Sequence, residues 1–151
     1  MADFSFQVLT HSPERLNVIS SKLGPDAATK YTDKDKRKAV KLGPVGNHVL
    51  CVADDELEGF IDSVEAATSG GFSFGGVARG NRGFRVEAKV GAGQGATAMK
   101  VGDLVVADAQ AAIGTPSLPL VKTGAPETHK YRVMTVRGTS LAGDTVVLEL
   151  L

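Results

Sequence analysis

The sequence predicts an all-β protein: a single sandwich or barrel-like domain carrying an extended N-terminal arm. Three observations predict it. From Leu42 onward, short apolar or alternating runs are each followed by glycine, proline or aspartate, the signature of strands and turns. The chain of 151 residues carries 18 glycines, a density that costs backbone entropy in any long helix. No window after residue 42 sustains an i, i+3, i+4 apolar stripe with caps.

The arm is assigned to residues 1–37. Phe4, Phe6 and Val8 alternate, and the chain then turns polar through His11-Ser12-Pro13 and Gly24-Pro25 and enters the charged run Lys30 to Lys38. Such a segment lacks the apolar area for a core of its own and is suited to ordering on a partner. Its start has no basic n-region and no long apolar stretch, so neither a signal peptide nor a membrane helix is expected.

The β-domain is assigned to residues 38–151. Candidate strands are Ala39 to Leu42, His48 to Ala53, Phe60 to Ala66, Phe72 to Ala78, Phe84 to Val90, Leu104 to Asp108, Leu118 to Lys122, Tyr131 to Arg137 and Thr145 to Leu150. The clearest is Phe84-Arg85-Val86-Glu87-Ala88-Lys89-Val90, whose apolar side chains fall at every second position, so one face is expected to be buried and the other wet. Gly102-Asp103-Leu104-Val105-Val106-Ala107-Asp108 and Gly143-Asp144-Thr145-Val146-Val147-Leu148-Glu149 share one order, a tight turn feeding a valine strand. A duplicated half-barrel is one reading of that echo, and chance recurrence of a common turn is the other.

Seventeen basic residues balance seventeen acidic ones, which removes the electrostatic footprint of a nucleic-acid binder. The balance conceals an asymmetry: the net charge is +3 over residues 1–41, −6 over 42–69 and +3 over 70–151. The single cysteine, Cys51, forbids an intrachain disulfide, and its neighbours Leu50 and Val52 point to a buried, inert thiol.

Residue patterns for chemistry are sparse. His11, His48 and His129 are far apart and fit no metal spacing. Asp54-Asp55-Glu56-x-Glu58 lacks the alternating order of a calcium loop and reads as a solvated turn, or as a patch facing basic residues of a neighbouring subunit. Gly91-Ala92-Gly93-Gln94-Gly95-Ala96 follows a strand but has too little chain after it for the helix a dinucleotide needs, so it reads as a flexible hairpin or surface loop. Gly70-Gly71-Phe72-Ser73-Phe74-Gly75-Gly76 lacks the lysine of a phosphate loop, and no G-x-S-x-G element is present. The expectation is therefore a protein that is not an enzyme and holds neither metal nor cofactor.

Val101-Gly102-Asp103-Leu104-Val105-Val106-Ala107-Asp108 resembles the strand entry of capsid decoration (cement) proteins of tailed bacteriophages. Glu58-Gly59-Phe60-Ile61-Asp62-Ser63-Val64 leading to Gly75-Gly76-Val77-Ala78, then Val121-Lys122-Thr123-Gly124 and a closing apolar strand, are similar to that group in order and spacing over about residues 38–151. The resemblance implies a protein made in the host cytoplasm that binds the outer capsid surface of the virion and cements adjacent subunits of the major capsid protein, as a homo-dimer or homo-trimer, without contacting nucleic acid or membrane. Shell contact is expected from Phe4, Phe6, Tyr31, Lys34, Lys36, Arg37 and Lys38, which combine sparse apolar anchors with concentrated charge. The competing readings are a carbohydrate- or host-surface-binding β-module, which would want more exposed aromatics than two tyrosines and no tryptophan supply, and an all-β hydrolase such as a trimeric nucleotide pyrophosphatase.

Overall fold

The computed structural model describes residues 16–65 and 71–151. Their strands are β1 (Leu16–Leu23), β2 (Ala39–Leu42), β3 (Asn47–Leu50), β4 (Gly59–Val64), β5 (Ser73–Gly80), β6 (Arg85–Val90), β7 (Leu104–Ala107), β8 (Leu120–Thr123), β9 (Tyr131–Val136) and β10 (Thr145–Leu150). Short 3-10 turns at Asp33–Asp35 and Ala92–Gln94 are the helical elements among the described residues. The protein is all-β, and it builds its barrel twice. The first closes in the order β1-β3-β2-β4-β5 and the second in the order β10-β6-β8-β7-β9.

The two barrels have the same topology, strand for strand. In each, the first strand runs parallel to the third (β1 with β3, β6 with β8), and every other pairing is antiparallel. Hydrogen bonds outside the ladders repeat as well. Gly24 N–H donates to His48 O as Gly91 N–H donates to Val121 O, both at 2.8 Å, and Cys51 N–H donates to Ala39 O as Gly124 N–H donates to Leu104 O. The β-bulge repeats too: Asp62 stands between the paired residues Ile61 and Ser63, as Met134 stands between Val133 and Thr135. Even the backbone before the second strand agrees, with positive φ at Arg37 (79°) and at Gly102 (93°).

These matches set the equivalent positions. The Gly-Asp echo does not mark them, because β7 and β10 are the second and fifth strands of one barrel. The repeat instead joins β1–β5 to β6–β10.

The division of the chain at residue 37 is corrected where it is described. Residues 16–23 form β1, which pairs along its length with β5 and closes the first barrel against β3, and Tyr31 and Asp35 are buried. Phe4 and Phe6 lie outside the described residues.

Strand alternation explains how one chain packs two barrels. On β2, β4 and β5, Val40, Ile61 and Val77 turn inward and join Leu23 and Tyr31 in the core of the first barrel. Their neighbours Ala39, Phe60 and Ala78 lie on the other face and belong to the larger core that contains Phe84, Val86, Val90, Val105, Tyr131, Val133 and Leu148 of the second barrel. Phe60 anchors this junction, with its ring 6.4 Å from that of Phe84 and edge-on to Tyr131 at 6.0 Å. Full burial of such a side chain contributes roughly 1.5–3 kcal/mol.

Candidate functional site

The residues expected to meet a shell divide on the structure. Lys34 and Arg37 are exposed and Lys36 is half-buried, 3.4 Å from Asp33. Tyr31 and Lys38 are corrected: both are interior. The Tyr31 amide donates to Ser73 Oγ at 3.0 Å, and burial pushes its hydroxyl pKa up to about 12. Lys38 has no exposed surface; its ammonium donates to Asp35 Oδ1 at 2.6 Å and to Ala112 O at 2.8 Å. Burial alone would raise the Asp35 pKa, but Lys38 and the Thr32 and Gly114 amides hold it below the ordinary value. A buried pair of this kind is costly to break from one side. Within the charged run, the 3-10 turn at Asp33–Asp35 brings Asp35 and Lys38 together inside the protein, so only part of that charge faces out.

Asp35 and Lys38 also hold a strap between the barrels. The loop after β7 crosses to the first barrel, where Gly114 N–H donates to Asp35 Oδ1 and Gln110 Oε1 accepts from the Ala39 amide. A second strap runs the other way. The loop after β3 exchanges backbone bonds with β7 (Asp54 N–H to Ala107 O, Ala107 N–H to Asp55 O), and Asp54 pairs with Lys122 at 2.8 Å. Glu56 accepts hydrogen bonds from Glu127, Thr128 and His129 of the second barrel. Those bonds, led by the Thr128 hydroxyl, hold its carboxyl well below the usual range. Asp55 pairs with Lys41 at 2.8 Å and Glu58 accepts from the Leu42 amide, so the acidic segment is largely committed within the chain rather than simply solvated.

Of the glycines after β6, Gly91 and Gly93 pack against the carboxylate of Asp108, which is 6% exposed, and Gly93 N–H donates to Asp108 Oδ2 at 2.6 Å; Gly95 is exposed, in keeping with the expected surface loop. A Cβ on Gly91 would collide with that carboxylate, which explains the glycine there. The protein's own aspartate thus occupies the anion-binding position of this turn. Cys51 is 2% exposed, and burial pushes its thiol up to about 12, as expected of an inert core cysteine. His48 Nδ1 lies 2.6 Å from Ser21 Oγ, a serine–histidine contact sheltered at 5% and 8% exposure. Among the described residues, no group of three or more His, Cys, Asp or Glu side chains could hold a metal ion.

A charged row lies on the outer face of the second barrel. Cross-strand pairing sets Arg85, Glu149, Arg132 and Leu104 in one row across β6, β10, β9 and β7. Glu149 accepts from Arg85 Nε at 2.7 Å and from an Nη of Arg132 at 3.1 Å, and its pKa is lowered by both. Arg132 Nε is buried without a partner, which costs about 1–3 kcal/mol. Arg82, Gly83, Leu150 and Leu151 complete a cleft of 380 Å³ beside this row. Sequence alternation showed that Arg85 points outward, but only the register places Arg132 and Glu149 beside it. No protein-family model, curated protein or solved structure matches the chain.

Proposed function

We propose that this protein is a structural virion protein that decorates the outside of a phage capsid and cements neighbouring major capsid subunits. The carrying observation is a stiff body with scattered apolar points. The two barrels share a core and are strapped in both directions, while Val45, Val101, Phe74 and Ile113 stand out from separate turns, loops and strands at 64%, 61%, 45% and 41% exposure. Several small contacts on a rigid body suit multipoint attachment, in which each weak contact is multiplied by the fixed spacing of a shell. The resemblance at β4, β5, β7, β8 and the closing strand supports the same reading. Of the expected contact residues, shell contact then falls to Phe4, Phe6, Lys34, Lys36 and Arg37. The sugar-binding alternative is weakened by the burial of both tyrosines, Tyr31 at 3% and Tyr131 at 1%.

The test is sedimentation of the purified protein with undecorated capsids. Saturable co-sedimentation at fixed stoichiometry, with decorated shells outlasting bare ones on heating, is the expected result. A protein left wholly in the supernatant at every concentration overturns the reading.

A further inference from the structure

From this geometry we infer that the row Arg85–Glu149–Arg132–Leu104, with Arg82, is a docking face for an acidic, leucine-bearing segment of a partner protein. The inference does not rest on shell attachment.

The first argument is equivalence. By barrel register, Leu104, Arg132 and Glu149 occupy the positions that Ala39, Phe60 and Ala78 occupy in the first barrel. In the first barrel those three positions are buried against another folded unit, whereas Val18, at the position of Arg85, is 50% exposed. The same place in the second barrel is half-exposed and charged. This fold therefore already uses the row as a protein-binding face, and its second copy has no such cover among the described residues.

The second argument is charge. Two arginines converge on one carboxylate, Glu149 taking one N–H from each of Arg85 and Arg132, and Arg82 lines the cleft beside them. Their side chains remain 39% and 43% exposed, and Arg82 is exposed at the rim. Guanidinium groups fixed by a shared carboxylate are set for bidentate contact with another one. Leu150 and Leu151 line the same cleft, so an apolar side chain beside the incoming carboxylate has a surface to cover. A half-buried arginine with an orphaned Nε stands where its counterpart is phenylalanine, a local departure of the kind expected at functional positions.

The experiment measures fluorescence anisotropy of a labelled octapeptide of alternating glutamate and leucine against the full chain, with a lysine–leucine peptide and inorganic phosphate in parallel. Saturable binding of the acidic peptide is expected, weakened about tenfold by Arg132→Gln. It should also weaken when salt rises from about 0.05 M to about 0.5 M. Arg82→Gln, at an exposed site, gives a second reading if Arg132→Gln disturbs folding, and Lys22→Gln, exposed on β1 of the first barrel, should leave binding unchanged. The inference is overturned if the acidic peptide does not bind saturably, if Arg82→Gln binds as well as the parent, or if phosphate competes so well that the site is a simple anion site.

Discussion

The two barrels share topology, bulge and hydrogen bonds, yet at several equivalent positions their side chains differ in size, polarity or exposure. In the second barrel Val86, Ala88, Val121 and Tyr131 are buried and apolar; their counterparts in the first are Ile19, Ser21, His48 and Gly59. Ile19 is 38% exposed, Ser21 and His48 pair with each other, and a Cβ on Gly59 would press within 2.7 Å of Val77. On the outer row the contrast reverses, with Ala39, Phe60 and Ala78 apolar in the first barrel and Leu104, Arg132 and Glu149 mostly charged in the second. The difference teaches that topology is set by backbone pairing and inward apolar class, whereas each face is free to follow its neighbour.

The sharpest way to break the comparison is at Phe60 and Arg132, which hold the same register position. Phe60→Ala should destabilise the protein by about 3–5 kcal/mol, because it opens a cavity between the barrels. Arg132→Ala should cost about 1 kcal/mol or less, since it also removes an unsatisfied donor. Urea unfolding of both variants measures this. Equal losses would mean that the junction is not the main link.

A second pair is Lys38 and Asp103, each one residue before the second strand of its barrel. Lys38→Ala leaves Asp35 charged, buried and unpaired, and should cost about 3–5 kcal/mol. The Asp103 carboxylate accepts the local Lys100 amide at 2.8 Å and neighbours no buried cation among the described residues, so Asp103→Ala should cost about 1 kcal/mol. Thermal unfolding at neutral pH distinguishes the two. If Lys38→Met recovers much of the loss, the packed length and not the charge is what the site requires.

The smallest effect separates His48 from its counterpart Val121. Burial, with help from the Arg79 charge and against that of Glu58, holds the folded-state pKa of His48 below its ordinary value of 6.5. The unfolded chain then binds the proton more readily, so this stabilisation is complete above the unfolded pKa and is lost as pH falls through it. His48→Val should flatten the stability profile just below pH 6.5, where the unfolded chain begins to take up the proton that the folded one refuses. The carboxylates with lowered pKa, among them Asp35 and Glu149, act at lower pH and should be untouched. An unchanged slope in the variant would show that His48 does not couple protons to folding.

Much of the strand pattern was legible in the sequence, and the reasons for the misses are physical. Alternation located β6, and the bounds of β2 and β10 agree with the expected runs nearly residue for residue. β1 went unread because Asn17, Val18, Ile19 and Ser20 are all exposed, so no burial rhythm is written into them. The repeat was hidden because equivalent inward positions share only apolar class: Leu23 with Val90, Val40 with Val105, Ile61 with Val133, Val77 with Leu148. Its loops also differ in length, since a short turn joins β2 to β3 where a long strap joins β7 to β8. Of the expected contact residues, Lys38 misled because a lysine beside other charges looks solvated until the Asp35 carboxylate is found three residues away inside the fold. The Arg85–Glu149–Arg132 row needed the register of three strands, which no local pattern contains.

The junction row has a consequence for the order in which the protein comes into being. When β5 has emerged from a ribosome, the first barrel has all its strands, but Ala39, Phe60 and Ala78 still lack the residues that cover them. The remaining chain takes several seconds to appear at about 5–20 residues per second. During that interval the nascent barrel carries a naked apolar stripe bearing a phenylalanine. The first barrel made alone should therefore self-associate, although its own strands can close, and the second barrel acts on it as a built-in chaperone delivered in cis.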